Sequence, residues 1–315
     1  MSKIAFIYPG QGAQKAGMGA DFYENSEIAR YIFDQAGEEL DLDMKELCFE
    51  ENDRLDLTEY TQAAMVTTCL AMTRVAESKG LKADITAGLS LGEYPAIAAA
   101  GGMNDMDAIR LVRKRGILMQ NTVPAGEGAM CAVISMAAEE IEKVIEPIAD
   151  VSVANYNCPG QIVITGKTDA VEEAAAKLKE AGARRTIMLN VSGPFHSQML
   201  VPAGEELAEE LEHTRFHELR IPYVTNVTAE KVTDIRETPG LLTTQISSPV
   251  RWMQSMERMI ADGVDTFVEI GPGKTLEGFL RKIDRSVKVF HISQWEDVDK
   301  VCTELADSGK MMEEA

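Results

Sequence analysis

Over residues 123–193 the chain reads as strand, helix, strand, strand, helix, strand, an order that narrows its possible folds more than any other feature. "AMCAVISM" is a strand and "AAEEIEKVIEPI" has helical spacing, while "DVSVANYN" and "GQIVITG" are two further strands. "TDAVEEAAAKLKEAG" is a helix with Gly182 at its end, and "RRTIMLNV" is the last strand. This order defines a ferredoxin-like unit, and it lies inside a longer α/β pattern. "KIAFIYPGQGAQ" is a buried strand running into a glycine-rich turn, and helices are expected at 26–40, 60–79 and 105–121. Helices resume after His196, with strands at "IPYVTNV", "TFVEIG" and "VKVFHI". The expected class is α/β: a large domain of residues 1–122 and 197–315, with a ferredoxin-like (βαββαβ) small domain, 123–196, inserted into it. The acidic tail "DSGKMMEEA" is expected to fray.

A serine between two glycines is the second constraint. Gly88-Leu89-Ser90-Leu91-Gly92 follows a short alternating run and precedes an alanine-rich stretch stopped by Gly101-Gly102. Where such a motif joins a strand to a helix, the glycines permit a tight turn and the serine Oγ projects at the helix N-terminus, as on α/β-hydrolase-like sheets. The large domain is accordingly read as α/β-hydrolase-like, with the Leu91 amide helping to hold an oxyanion. The same residues also fit an ordinary helix with a serine N-cap. Pro95 is tolerable there only near the first turn. A nucleophilic serine needs a base. His213 and His217, in the polar segment "ELEHTRFHEL", read as solvated residues of a helical segment, and His291 reads as a strand-end residue. His196 follows a strand, a glycine and a proline where the small domain hands back to the large one, and clefts form at such junctions. It reads equally as a satisfied loop histidine. Arg113-Lys114-Arg115 is either a solvated basic face or, because a glycine and "ILM" follow, a helix with Arg115 turned inward toward a carboxylate.

Charge and thiols exclude several kinds of partner. The formal net charge of -20 argues against nucleic acid and against an anionic membrane. Cys48, Cys69, Cys131, Cys158 and Cys302 are odd in number and lack CxxC spacing, so they read as buried thiols in a reducing compartment, with no disulfide framework and no metal site. With no signal-peptide pattern and no membrane-length apolar stretch, a cytoplasmic protein is expected.

Seven stretches, taken in order, resemble the malonyl-CoA:acyl-carrier-protein transacylase family of bacterial fatty acid synthesis, whose acyltransferase relatives occur in polyketide and animal fatty acid synthases. They are "PGQGAQ", "GLSLGEY", "RKRGILMQ", "NYNCPGQIVITG", "GPFHS", "TQISSPVRW" and "EIGPGKTL". The resemblance implies that Ser90 is acylated and that His196 is its base in a dyad without a carboxylate, oriented by a backbone carbonyl near Gln245. It implies that Gln11 and Leu91 give the oxyanion-hole amides, that Arg115 grips the free malonyl carboxylate, and that Gln245 lines the same pocket. Asn155 and Asn157 match positions beside the way in for the thioester, and Phe195 matches a bulky residue that leaves little room for an α-methyl branch. One position departs from the pattern, because the family usually carries histidine where this chain has Leu89. The implied reaction uses malonyl-CoA and an acyl carrier protein, needs no cofactor, and is expected of a monomer. Rival readings are a serine esterase or thioesterase, which predicts a triad carboxylate and no need of Arg115, an acyltransferase serving a polyketide carrier, and a docking subunit with a vestigial site. Carriers of this pathway are typically acidic, so a basic patch must offset the charge of the chain. Arg184 and Arg185 are the candidates, against a solvated strand end or a rival patch of Arg281, Lys282 and Arg285.

Overall fold

A computed structural model describes residues 2–307. Strand β1 (Lys3–Tyr8) is followed by helices α1 (Ala20–Asn25), α2 (Glu27–Leu40), α3 (Met44–Phe49) and α4 (Thr58–Ser78). Strand β2 (Ile85–Gly88) leads through a 3-10 turn (Ser90–Gly92) into α5 (Glu93–Ala99) and α6 (Asp105–Asn121). Next come β3 (Gly128–Ile134), α7 (Ala138–Ile145), β4 (Val151–Cys158), β5 (Gln161–Lys167), α8 (Thr168–Glu180) and β6 (Arg185–Met188). The chain then runs through α9 (Val201–Glu212), β7 (Tyr223–Val224), β8 (Lys231–Val232), α10 (Thr238–Gln245) and α11 (Trp252–Ala261). The described residues end with β9 (Val264–Ile270), α12 (Thr275–Ile283), β10 (Lys288–Ile292) and α13 (Trp295–Asp307).

Two sheets result. The larger has the order β10-β9-β1-β2-β7-β8 and is parallel except for β8. Its centre follows from β1, where Ile4, Phe6 and Tyr8 pack into one core and Ala5 and Ile7 into another on the opposite face. A strand whose two faces are both apolar needs helices on both sides, the usual setting of parallel strands. Burying Phe6 and Ile7 contributes about 1.5–3 kcal/mol each. Strand β2 differs from the expected alternation, since all of its residues are buried between β1 and β7. Helix α4 is buried on nearly every side and packs on α2 and α6, as a helix apolar all round must.

The second sheet, β4-β5-β3-β6, is antiparallel. Ile141 and Ile145 of α7 and Val171 and Leu178 of α8 pack against Val133, Ile162 and Ile164 of its strands. The last strand is shorter than the expected 184–191. Among the described residues it pairs only with β3, its residues are exposed or half-buried, and beyond Met188 the chain leaves the ladder for the cleft. The expected strand "IPYVTNV" contracts to Tyr223–Val224, because the chain turns to bring Asn226 against Ser90. His213 caps α9 and His217 lies beyond it, both exposed. Four thiols are buried and Cys302 is half-buried, and burial pushes the Cys48 thiol up to about 12. Among the described residues no helix is long and apolar enough to cross a membrane. The acidic tail beyond Asp307 lies outside the described residues.

Strand order positions the site. β1 and β2 are adjacent and parallel, so the turns leaving their carboxyl ends, at Pro9–Gly12 and Leu89–Ser90, lie side by side. Crevices at the carboxyl ends of parallel strands are where such sheets bind ligands.

Candidate active site

A cavity of about 740 Å³ lies where those turns face the second sheet. Gln11, Ser90 and Leu91 line it from the large sheet, and Asn155, Asn157 and Phe195 line it from the other side. The turn at Ser90 requires its two glycines. A Cβ on Gly88 would run into the Gly92 carbonyl, and one on Gly92 would run into the Tyr8 carbonyl. Ser90 itself has φ 56, a left-handed conformation that costs a non-glycine residue about 1–2 kcal/mol. Its side chain is not an N-cap, because Oγ lies 2.8 Å from His196 Nε2. Pro95 falls in the first turn of α5, where its missing N–H breaks no helical bond.

His196 also has positive φ, 59, and is 3% exposed. Its Nδ1 lies 2.9 Å from the Gln245 carbonyl oxygen, which can only accept, so Nδ1 carries the proton of the neutral ring and Nε2 is left to accept from Ser90 Oγ. Burial, and then the positive charge of Arg115, push the His196 pKa down to about 3. The imidazole is therefore neutral at physiological pH, the state a general base needs.

Arg115, on α6, is fully buried. Its Nη1 donates to Gln62 Oε1 at 2.7 Å, and its Nη2 donates to Gln245 Oε1 at 3.0 Å and to Ser90 Oγ at 3.1 Å. Among the described residues the expected carboxylate partner is not there. These acceptors are amide and hydroxyl oxygens, and Nε has no partner among the described residues. Burial lowers the pKa of Arg115, and Tyr94 and Glu93 oppose that shift. Neither Arg115 nor Gln245 lines the cavity; Arg115 reaches it only through its contact with Ser90 Oγ. Gln245 is fully buried behind Ser90, where its Nε2 donates to the Ser90 carbonyl at 2.9 Å and to Glu93 Oε2 at 2.7 Å.

The structure thus brings Ser90, His196, Arg115 and Gln245 together through direct contacts. Gln11 and Leu91 join them at the cavity wall. The Ser90 amide donates to Asn226 Oδ1 and the Gly92 amide to the Leu89 carbonyl, which leaves Leu91 N–H as the amide of this turn that neither contact takes up. Asn155 and Asn157 lie on β4, each 8% exposed, and Asn157 Oδ1 is buried without a partner among the described residues. Arg184 and Arg185 are exposed and away from the cavity lining, at the start of β6.

Three residues of this cluster went unread in the sequence. Gln62 is one of the few long polar side chains on the buried helix α4, and that contrast was a usable signal. Glu93 sits in the first turn of α5, where an acidic residue is ordinary. Burial pushes its pKa up to about 7, against hydrogen bonds from Gln245 and Asn226. Asn226 had no local signal, because its contacts with Gly88, Ser90 and Glu93 are to residues more than a hundred positions away.

Comparison with known proteins adds to this geometry. The family model described as an acyl transferase domain matches residues 5–298. The chain is 44% identical over 304 residues to the malonyl CoA-acyl carrier protein transacylase of Bacillus subtilis (strain 168), covering 95% of this chain and 96% of that one. It superposes on the crystal structure of the malonyl CoA-acyl carrier protein transacylase from Clostridium perfringens with TM-score 0.94 and 42% identity, covering 98% of each chain. It also superposes, with TM-score 0.93 and 35% identity over 96% of this chain and 100% of that one, on a malonyl-transacylase solved in complex with its type II PKS acyl-carrier protein.

Proposed function

Because this chain belongs to the acyl transferase domain family, we propose that it carries malonyl groups from malonyl-CoA to the phosphopantetheine thiol of an acyl carrier protein. Arg115 is the observation that carries the reading. A guanidinium buried without a carboxylate costs several kcal/mol, and a bidentate carboxylate ligand supplies the missing partner. Arg115 Nη2 is 3.1 Å from Ser90 Oγ, so one ligand can offer a reactive carbonyl to the serine and a carboxylate to the arginine when a single methylene separates the two. Malonyl thioesters have that spacing.

His196 takes the proton of Ser90 as Oγ attacks the thioester carbonyl. The oxyanion is held by the backbone amide of Leu91, at the start of a helical segment whose local dipole adds to it, and by that of Gln11, in the turn after β1. The C–S bond breaks, and the CoA sulfur leaves with the proton held on His196. A carrier thiol then gives its proton to His196 and attacks the acyl-serine, and Ser90 leaves and recovers that proton. Every step is a proton or acyl transfer, so the reaction calls for no metal or redox cofactor. Asn155, Asn157 and Phe195 line the cavity, which supports reading the two asparagines as partners for the amides of the pantetheine arm and the Phe195 ring as a limit on an α-methyl branch. The backbone carbonyl on His196 Nδ1 weighs against the esterase reading, which expects a carboxylate there.

Intact mass after brief exposure to malonyl-, methylmalonyl- and acetyl-CoA tests the proposal. The expected result is a stable malonyl adduct on Ser90 that is discharged by holo carrier protein, with little adduct from the other two. No adduct, or rapid hydrolysis without carrier, overturns it.

The finer fold assignment belongs to the same proposal. The strand order β4-β5-β3-β6 and the βαββαβ chain order support a ferredoxin-like domain over 123–196, inserted in an α/β-hydrolase-like domain of 1–122 and 197–315. The free thiols suit a cytoplasmic location, and a monomer would present the whole site.

For an acidic carrier, we place docking at Arg184 and Arg185. Both are exposed, and neither is in an ion pair among the described residues, whereas Arg281 of the rival patch pairs with Glu277. From Arg185 the strand reaches the cavity-lining Leu189 in four residues, about 13 Å. The double mutant Arg184→Glu, Arg185→Glu is expected to load Ser90 from malonyl-CoA at a near-normal rate. Its KM for the carrier should rise several-fold at low salt, and the difference should shrink above about 0.1 M salt as exposed charges are screened. An unchanged carrier KM at low salt moves docking elsewhere.

A further inference from the structure

We propose that Asn226, backed by Glu93, is a positioning residue for the nucleophile: it locks the turn that sets Ser90 Oγ and the Leu91 amide against the same reacting carbon. The proposal rests on the transacylase reading above and adds a residue that acts through Ser90.

All four polar groups of Asn226 are engaged, and the residue is 1% exposed. Its Oδ1 accepts from the Ser90 amide at 2.7 Å, and its Nδ2 donates to the Gly88 carbonyl at 2.6 Å. Its own amide donates to Glu93 Oε2 at 3.2 Å, and its carbonyl accepts from the Arg251 amide at 3.0 Å. The parallel ladder between β2 and β7 pairs Thr86 with Tyr223 and Ala87 with Val224. Beyond that point the chain must break from the ladder to make the turn, and Ser90 adopts its left-handed φ. Here the Asn226 side-chain amide gives one N–H bond and accepts another, the same pair of bonds a peptide group contributes to a ladder. Asn226 therefore replaces the ladder bonds the turn gives up, on both sides of Leu89.

Glu93 extends the lock. Its Oε2 accepts from both the Asn226 amide and Gln245 Nε2. Gln245 in turn offers its carbonyl to His196 and its Oε1 to Arg115. One buried carboxylate oxygen thus ties the turn, the base and the arginine into a single network, in which Glu93 Oε1 and Arg115 Nε have no partner among the described residues while all four polar groups of Asn226 do.

The test is the rate of Ser90 acylation in single turnover, with malonyl-CoA and acetyl-CoA, and the rate of Ser90 labelling by a fluorophosphonate. In Asn226→Ala all three rates are expected to fall by a similar factor of about 10–100, less than the loss of an oxyanion donor outright, with the malonyl-CoA KM within about twofold. Rates within about twofold of wild type, or a loss confined to malonyl, overturn the proposal. The isosteric Asn226→Asp serves if the alanine variant fails to fold. Protonated, the new carboxyl can donate to Gly88 and accept from Ser90; ionised, it loses the donor and faces Glu93. The mutant-to-wild-type ratio of the labelling rate is therefore expected to rise as pH falls from about 8 to 6. His196, held near 3, stays neutral across that window. Around Glu93 the other titratable groups are Arg115, Tyr94 and Tyr223, and burial raises both tyrosines out of range. Glu93, pushed up to about 7, titrates alone in wild type and as a coupled pair with the new carboxyl in the variant, so protonating either member of the pair relieves the same repulsion and moves the ratio in the same direction. A flat ratio overturns the proposal. A wild type that takes no malonyl sinks the transacylase reading, while fluorophosphonate labelling still decides the role of Asn226.

Discussion

Ser90→Ala is expected to abolish the malonyl adduct and to lower transfer to the carrier by about 10⁵-fold or more, the size of loss seen when a nucleophile is removed from a preorganised site. The fold is expected to survive. The contacts that hold the turn go to the backbone of Ser90, through Asn226 Oδ1 and Gln245 Nε2, and alanine keeps both. What disappears is the Oγ shared by His196 and Arg115. The cavity contains a built-in control, because Ser192 also lines it. Its Oγ lies 2.7 Å from Thr58 Oγ1. Ser192→Ala is therefore expected to leave acylation within a few-fold of wild type. Intact mass after malonyl-CoA exposure, with a melting curve for each variant, decides the matter. An adduct on Ser90→Ala would put the nucleophile elsewhere.

The parts of this site that could be read from the sequence are those that leave a local mark. Gly88 and Gly92 flank Ser90 because any Cβ would meet backbone carbonyls, so the turn shows itself within five residues. Helix α6 begins at an asparagine cap, and the glycine after Arg115 packs against the backbone of α4, so the inward arginine also had a local signature. The partner of that arginine did not. A carboxylate was the natural expectation, but the structure supplies Gln62 and Gln245, from helices 53 and 130 positions away. Strand ends were misjudged for a related reason. The apolar runs at 184–191 and 221–227 look like full strands, yet each is cut short where the chain must leave its ladder to serve the cleft. Asn226 lies just past one of those ends. Its importance comes from tertiary contacts alone, and no periodicity or motif in one sequence can carry them.

Arg115→Ala is expected to separate substrates. For malonyl-CoA it should lower kcat/KM by about 30–1000-fold, the equivalent of losing roughly 2–4 kcal/mol of a buried, charge-assisted pair. For acetyl-CoA, which has no carboxylate to lose, the change should be within about tenfold, the residue of losing one hydrogen bond to Ser90 Oγ and packing against Tyr94. Arg115→Lys should behave more like alanine than like wild type, because one ammonium cannot reproduce a bidentate fork to a carboxylate while also reaching Gln62 and Gln245. The substitution also has a pH signature. Arg115 is the second cause, after burial, of the low His196 pKa. Removing its charge lets the imidazole rise from about 3 toward its ordinary value, while burial still holds it down. The acid limb of acetyl loading in Arg115→Ala should therefore move to higher pH than in wild type, since a base with a raised pKa is protonated sooner as pH falls. Equal losses for malonyl and acetyl, with the acid limb unmoved, would make Arg115 a packing residue and leave the specificity of the site without its cause.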